Sequence, residues 1–178
     1  MLTVLGRPRA GGDAVDLLLE CHDRIRSFLS LARRIAEARQ ADDVAEAAAR
    51  VVRYFTEALP LHARDEEESV LPRLTGRDPA VDEALAIMAR EHAEHEVPLA
   101  ALIEACAAIA EDPGRHREVV PGLTWAVGAL DVHFQAHLRR EEEVIFPAAR
   151  RLLSETDLAA VARELRARRG VVVVPNPR

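Results

Sequence analysis

The chain has 178 residues, a formal net charge of -6, 49% hydrophobic and 30% charged residues, a length that suits one domain able to bury well over half of its unfolded surface. Aromatics reach only 3% while Ala and Leu abound, which favours helix over sheet. All 24 basic residues are Arg, scattered among acids, so no basic field exists for gripping phosphates and nucleic acid is excluded as a partner.

Cys21 and Cys106 stand far apart without CxxC spacing, resembling neither a zinc knuckle nor a disulfide framework; each reads as a small buried apolar residue. The opening MLTVLGRPRAGGD lacks the long apolar run of a secretory signal, and no stretch is apolar for long enough to make a membrane helix. The expectation is a cytoplasmic protein with no membrane association.

Residues 1–12 read as an N-terminal tail ending at the Gly11-Gly12 break. Asp13 caps a first helix reaching to about Arg39, with Val15, Leu18, Leu19, Ile25, Phe28 and Leu29 at helical spacing and His22 on the same stripe. A second helix from about Asp42 to Leu74 carries Val44, Val51, Phe55, Leu59, Val70 and Leu74, with a kink expected at Pro60. Thr75, Gly76, Asp78 and Pro79 mark a turn. The third helix, about Pro79 to Ala110, runs through Val81, Leu85, Met88, Leu99, Leu102 and Ile103, with a second kink at Pro98. The fourth spans about Arg115 to Leu153 through Leu123, Val127, Leu130, Phe134, Val144 and Ile145, with its first turns broken at Pro121-Gly122.

Four long amphipathic segments joined by short turns predict an all-α fold, an antiparallel up-down-up-down four-helix bundle over residues 13–153. A short additional C-terminal helix follows over 154–170, capped by Ser154, its Leu158, Val161 and Leu165 packing on the bundle exterior. Residues 171–178 form a C-terminal tail whose Val171 to Val174 run either covers an apolar groove or stays disordered.

One phrase occurs twice. His62-Ala-Arg64-Asp-Glu66-Glu67-Glu68-Ser-Val70-Leu71-Pro72 in the second helix matches His137-Leu-Arg139-Arg-Glu141-Glu142-Glu143-Val-Ile145-Phe146-Pro147 in the fourth. At about 100° per residue, positions four apart differ by about 40° around a helix. His62 with Glu66, and His137 with Glu141, therefore each put an imidazole and a carboxylate on one face. The flanking Glu67, Glu68, Glu142 and Glu143 turn away and read as solvated acids or as acids supporting the imidazoles.

The first and third helices each add an inward histidine, His22 and His92. Four nitrogens and two carboxylates around a shared centre suit iron or manganese better than a structural zinc, which favours thiolates and four ligands. Two facing Glu carboxylates favour a pair of ions about 3.5–4 Å apart. Without metal, two buried acids and four histidines are expensive to desolvate.

The order His, HxxxE, His, HxxxE with trailing acids and a following hydrophobic-Pro, over roughly Asp13 to Leu153, resembles the hemerythrin HHE cation-binding family. The resemblance implies that His22, His62, Glu66, His92, His137 and Glu141 ligate two iron ions, Glu66 and Glu141 bridging, with an oxo or hydroxo oxygen between the irons. It departs from the oxygen-carrying hemerythrins in having Glu96 where they place a second third-helix His, and in a fourth-helix acid four residues, not five, after its His. Both differences point toward the bacterial HHE group.

His95 and His133, one turn from His92 and His137, are further metal-site candidates, either completing a coordination sphere or holding it from behind. His116 is expected in solvent, Trp125 in the core, and Tyr54 buried, either near the metals or on a backbone partner. Arg64 and Arg139 are expected to pair with acids on neighbouring helices.

The leading functional expectation is binding or sensing of O2, NO or reactive oxygen species, so that the partner is a small diatomic or peroxide. The alternatives are an iron donor or repair protein for iron-sulfur clusters, disfavoured by the absence of a cysteine pair, and a peroxide-decomposing oxidoreductase. No further acid, base or nucleophile stands out to mark a dedicated enzyme.

Overall fold

The computed structural model describes residues 12–38 and 44–171, and among these the regular structure is entirely helical. The expected N-terminal tail, apart from Gly12, and the tail beyond Val171 lie outside the described residues. No described helix is long and apolar enough to cross a membrane.

The first helix, Ala14–Glu37, begins where expected. The Asp13 carboxylate accepts from the Asp16 N–H at 2.8 Å while the Asp16 carboxylate accepts from the Asp13 N–H at 3.0 Å, satisfying two of the donors that a helix start leaves bare. Arg150 pairs with both acids, at 3.0 and 2.6 Å, and so fastens this start to the end of the fourth stretch. The second stretch covers 44–74. Gly76 supplies the positive φ (77°) of the turn that follows, and the Asp78 side chain accepts from the Ala80 N–H to start the third stretch, 79–111. The fourth covers 116–152. The last helix, Glu155–Arg168, is capped by Ser154, whose hydroxyl accepts from the Asp157 N–H.

The prolines explain why the long stretches are not uniform. A proline has no N–H for the carbonyl four residues back, and its ring crowds that carbonyl. Before Pro60, Pro72 and Pro147 the helix widens, and the preceding residue bonds five back: Leu59 N–H to the Tyr54 carbonyl, Leu71 to Glu66, Phe146 to Glu141. Pro98 acts differently. The carbonyl it crowds is that of Glu94, where the third stretch is interrupted, resuming at Glu96 after His95. The expected break at Pro121-Gly122 does not form: His116–Arg140 is one helix. The carbonyl that Pro121 leaves without a donor belongs to exposed Arg117, on a turn open to water.

The first stretch packs on the second and the fourth, the second on the third, and the third on the fourth, closing a ring of neighbours; the last helix lies against the first and second. Apolar residues inside this ring form two separate clusters. One contains Ile25, Leu29 and Ile35 of the first stretch, Val51 and Phe55 of the second, Leu102 and Ile109 of the third, and Leu123, Leu130 and Phe134 of the fourth. The other contains Val15 and Leu18, Val70 and Leu74, Leu85 and Met88, and Ile145 and Phe146, with Val161 and Leu165 of the last helix. His22, His62 and His92 fall, in sequence, between the two, and His137 falls one residue before Leu138, the last of the first cluster in its stretch.

Two side chains sit elsewhere than the periodicity suggests. Trp125, expected in the core, is 55% exposed. The buried stripe of its helix runs through Leu123, Ala126, Val127 and Leu130, and two residues on from Leu123 is about 200° around the helix, the opposite face. His116, expected in solvent, is buried, its Nε2 lying 2.7 Å from the Ile35 carbonyl oxygen. That carbonyl belongs to the last turn of the first helix, where it also accepts from the Ala38 N–H at 3.3 Å and keeps a second lone pair for the imidazole.

Leu130 is fully buried at the centre of the first cluster. Leu130→Ala should lower unfolding stability by about 2–5 kcal/mol, read from the shift in urea denaturation midpoint at unchanged slope.

Candidate metal centre

The six residues singled out by the repeated phrase and the two inward histidines meet in one place. Two groups of potential ligand atoms form, each with all atoms within 4.8 Å of one another: His22, His62, Glu66 and Glu141 in one, and Glu66, His92, His137 and Glu141 in the other. Both carboxylates belong to both groups.

The oxygen atoms divide the same way. Glu66 Oε1 lies 3.1 Å from His62 Nε2 and Oε2 lies 3.4 Å from His92 Nε2. Glu141 Oε2 lies 3.0 Å from His22 Nε2 and Oε1 lies 3.0 Å from His137 Nε2. Each carboxylate thus turns one oxygen to each group. His22, His62, His137 and both carboxylates are at most 4% exposed, whereas His92 is 14% exposed, which makes its side the open one.

Three imidazoles are oriented from behind by an acid at Nδ1. Glu142 holds His22 at 2.7 Å, Glu67 holds His92 at 2.7 Å, and Glu91 holds His137 at 3.0 Å. Arg26 steadies Glu142 at 2.7 Å, and Arg140 pairs with Glu91. Such carboxylate–imidazole pairs fix the ring and raise the basicity of the nitrogen left facing inward. Glu67 and Glu142 therefore act as supports for the imidazoles, one of the two readings their positions allowed.

The inward atoms lack partners of their own. His22 Nε2, both ring nitrogens of His62, and all four carboxylate oxygens of Glu66 and Glu141 are buried without a hydrogen bond. Groups so placed are costly unless something neutralises them. Burial raises the pKa of both Glu66 and Glu141, and for Glu141 the neighbouring Glu66 adds to it. Burial and the adjacent imidazoles lower His62 well below its usual value and His137 to about 3. His92 goes the other way: burial opposes its charge, but the Glu66 and Glu67 carboxylates outweigh that and hold it at about 9. Convergent, unpartnered nitrogen and oxygen donors in a dry layer fit a cation as the missing partner.

His95 and His133 stand beside this centre without joining either group. The His95 ring lies 5.0 Å from His137 and 5.8 Å from His133. His95 Nε2 and His133 Nδ1 are buried without partners, and burial with the nearby imidazoles pushes His95 down to about 3. Tyr54 is buried but stacks on Phe28 at 4.1 Å. Arg64 pairs with Glu68 on its own helix, 2.8 Å away, and not with a neighbouring one; its i,i+4 partner is simply nearer. Cys21 and Cys106 are free and buried, as expected.

The sequence reading passed over Glu91, one residue before His92, and Asp65, one residue before Glu66. Asp65 is fully buried and pairs with Arg168 and Arg169. Its position three residues after His62, close to the same face, was the available sign.

A helical chain with a buried, carboxylate-linked double cluster of histidines and glutamates is a cation-binding protein in form. The chain matches the hemerythrin HHE cation binding domain over residues 13–149 and belongs to that family. No curated protein matches the chain significantly.

Two outcomes follow. Glu142→Ala, which leaves His22 Nδ1 without its acceptor, should weaken cation binding about 10–100-fold in chelator competition. Loading the metal-free chain at pH 7 should release protons, because Glu141, held at about 8, and His92, held at about 9, carry protons that a cation must displace. The measured binding enthalpy should then vary linearly with the ionisation enthalpy of the buffer.

Proposed function

We propose that the chain holds a pair of iron ions, with His22 and His62 on one, His92 and His137 on the other, and Glu66 and Glu141 spanning both, and that the loaded centre binds or senses O2, NO or a reactive oxygen species. The observation that carries this reading is the division of oxygens: each carboxylate gives one oxygen to each His pair. Two overlapping groups that share both acids match the short separation at which carboxylates bridge paired ions. The mixed imidazole and carboxylate donors, with no thiolate, suit iron or manganese.

The reading takes the functional unit as residues 13–153, folded as an antiparallel up-down-up-down bundle, with the helix over 154–170 as an addition. The order of the two apolar clusters supports that topology. The first and third stretches pass from the cluster of Leu18 and Met88 to that of Leu29 and Leu102, while the second and fourth pass the opposite way.

When bound, iron supplies a redox couple and a coordination position open to a small ligand. The protein supplies everything around it. Glu142, Glu67 and Glu91 aim three imidazole Nε2 atoms inward, and the apolar clusters on both sides exclude water. The partial exposure of His92 leaves the Glu67 side as the approach for a diatomic or peroxide.

Elemental analysis of protein produced in iron-replete cells should find about two iron ions per chain, and Glu66→Gln should reduce that content. Optical spectra should change on addition of O2, NO or hydrogen peroxide. A loaded protein indifferent to all three, or one that takes up only zinc, would overturn the proposal.

A further inference from the structure

Asp65 belongs to neither cation group and has no access to water. Its side chain is fully buried between Arg168 and Arg169 at the C-terminal end of the last helix: Arg168 Nη1 donates to Oδ1 at 2.8 Å, and Arg169 Nη2 lies 2.6 Å from Oδ2. Both guanidinium groups hold on elsewhere as well. Arg168 Nη2 donates to Ser69 Oγ at 2.9 Å and pairs with Glu68, while Arg169 donates to the Leu165 carbonyl at 2.8 Å and reaches Cys21 Sγ at 3.6 Å.

The contacts fall directly behind the candidate ligands. Asp65 precedes Glu66 and follows His62 by three residues, and Cys21 precedes His22. The last helix therefore grips the first and second stretches at the level of the group formed by His22, His62, Glu66 and Glu141.

The other half of the site shows what such a grip does. Arg140 occupies the position equivalent to Asp65, one residue before Glu141, and it too meets an opposite charge from another helix, Glu91, which also holds His137 Nδ1. There the third and fourth stretches close the arrangement between themselves. In the second stretch the charge has the opposite sign, and the cations that neutralise it come from a helix beyond residues 13–149, the part that matches the family.

We propose that Asp65, Arg168 and Arg169 form a latch by which the last helix positions Glu66 and His22, and that this latch sets how slowly the centre gives up its cation. The inference rests on the cation-binding reading above. A buried carboxylate stripped of its cations must either take a proton or drag its backbone toward water, and Glu66 is the next residue along. Arginine's planar fork, bonded at several points, fixes a position as a lysine point charge does not. Asp65, Arg168 and Arg169 are thus positioning residues, acting through the backbone on the groups that face the metal.

The test uses full-length protein loaded with Co(II), whose visible spectrum reports coordination, and follows release into excess EDTA. Asp65→Asn and the double variant Arg168→Met/Arg169→Met should release cobalt at least about tenfold faster than the parent, with an altered spectrum. The double variant Arg168→Lys/Arg169→Lys should fall between, and it carries the comparison if the methionine pair does not fold. Leu130→Ala, remote from the latch, serves as the control for stability alone and should release at the parent rate. Equal rates and spectra for parent and latch variants would overturn the latch, as would an equal acceleration by Leu130→Ala. A parent chain that binds no Co(II), Fe(II) or Mn(II) would overturn the cation reading itself, and the latch with it.

Discussion

Two carboxylates and four imidazoles share one layer, buried except at the edge where His92 is partly exposed, and the rest of the molecule is arranged around the electrostatic cost of that layer. Two acids side by side in an apolar interior repel each other and favour their protonated forms, while His62 and His137, buried among other imidazoles, shed their protons. A cation between them reverses the first tendency by holding the carboxylates ionised, and it exploits the second, because a metal binds the neutral imidazole. The acids behind the rings belong to the same balance, since each gives an imidazole a fixed direction and a more basic inward nitrogen.

The repeated phrase gains a backbone meaning in this light. Before the proline ten residues after each histidine, the preceding residue bonds five back, so a widened turn begins at the inward glutamate in both copies. Widened helical turns are frequent where a side chain must be re-aimed for function. Phrase and site are therefore one feature: the histidine, the glutamate four residues on and the proline that reshapes the turn act on the same two helical turns.

Much of this was legible in the sequence. The helical periods, the caps at Asp13 and Ser154 and the turn at Gly76 stand where residue chemistry puts them, because they depend on neighbours within a few residues. Six side chains of the candidate centre were legible too, because the phrase is duplicated and histidines are rare on apolar stripes. Glu91, Asp65 and the Arg168–Arg169 pair were not, since an acid becomes a support or a buried anchor only through the helix it happens to face. Trp125 misled for a related reason: size suggested burial, but angular position on the helix decides it. His116 misled through its place near a turn, where the Ile35 carbonyl at the end of the first helix offered it a buried partner.

The division of the interior into two apolar bodies carries a mechanical consequence. Along the long stretches the candidate ligands lie near the changeover from one cluster to the other, so the candidate centre is also where the two halves of the core meet. A cation held there would tie all four long stretches together at that level. Of the two clusters, the one of Leu18 and Met88 also takes in Val161 and Leu165 of the last helix, so the two ends of a bundle tied together in this way would differ in what they carry.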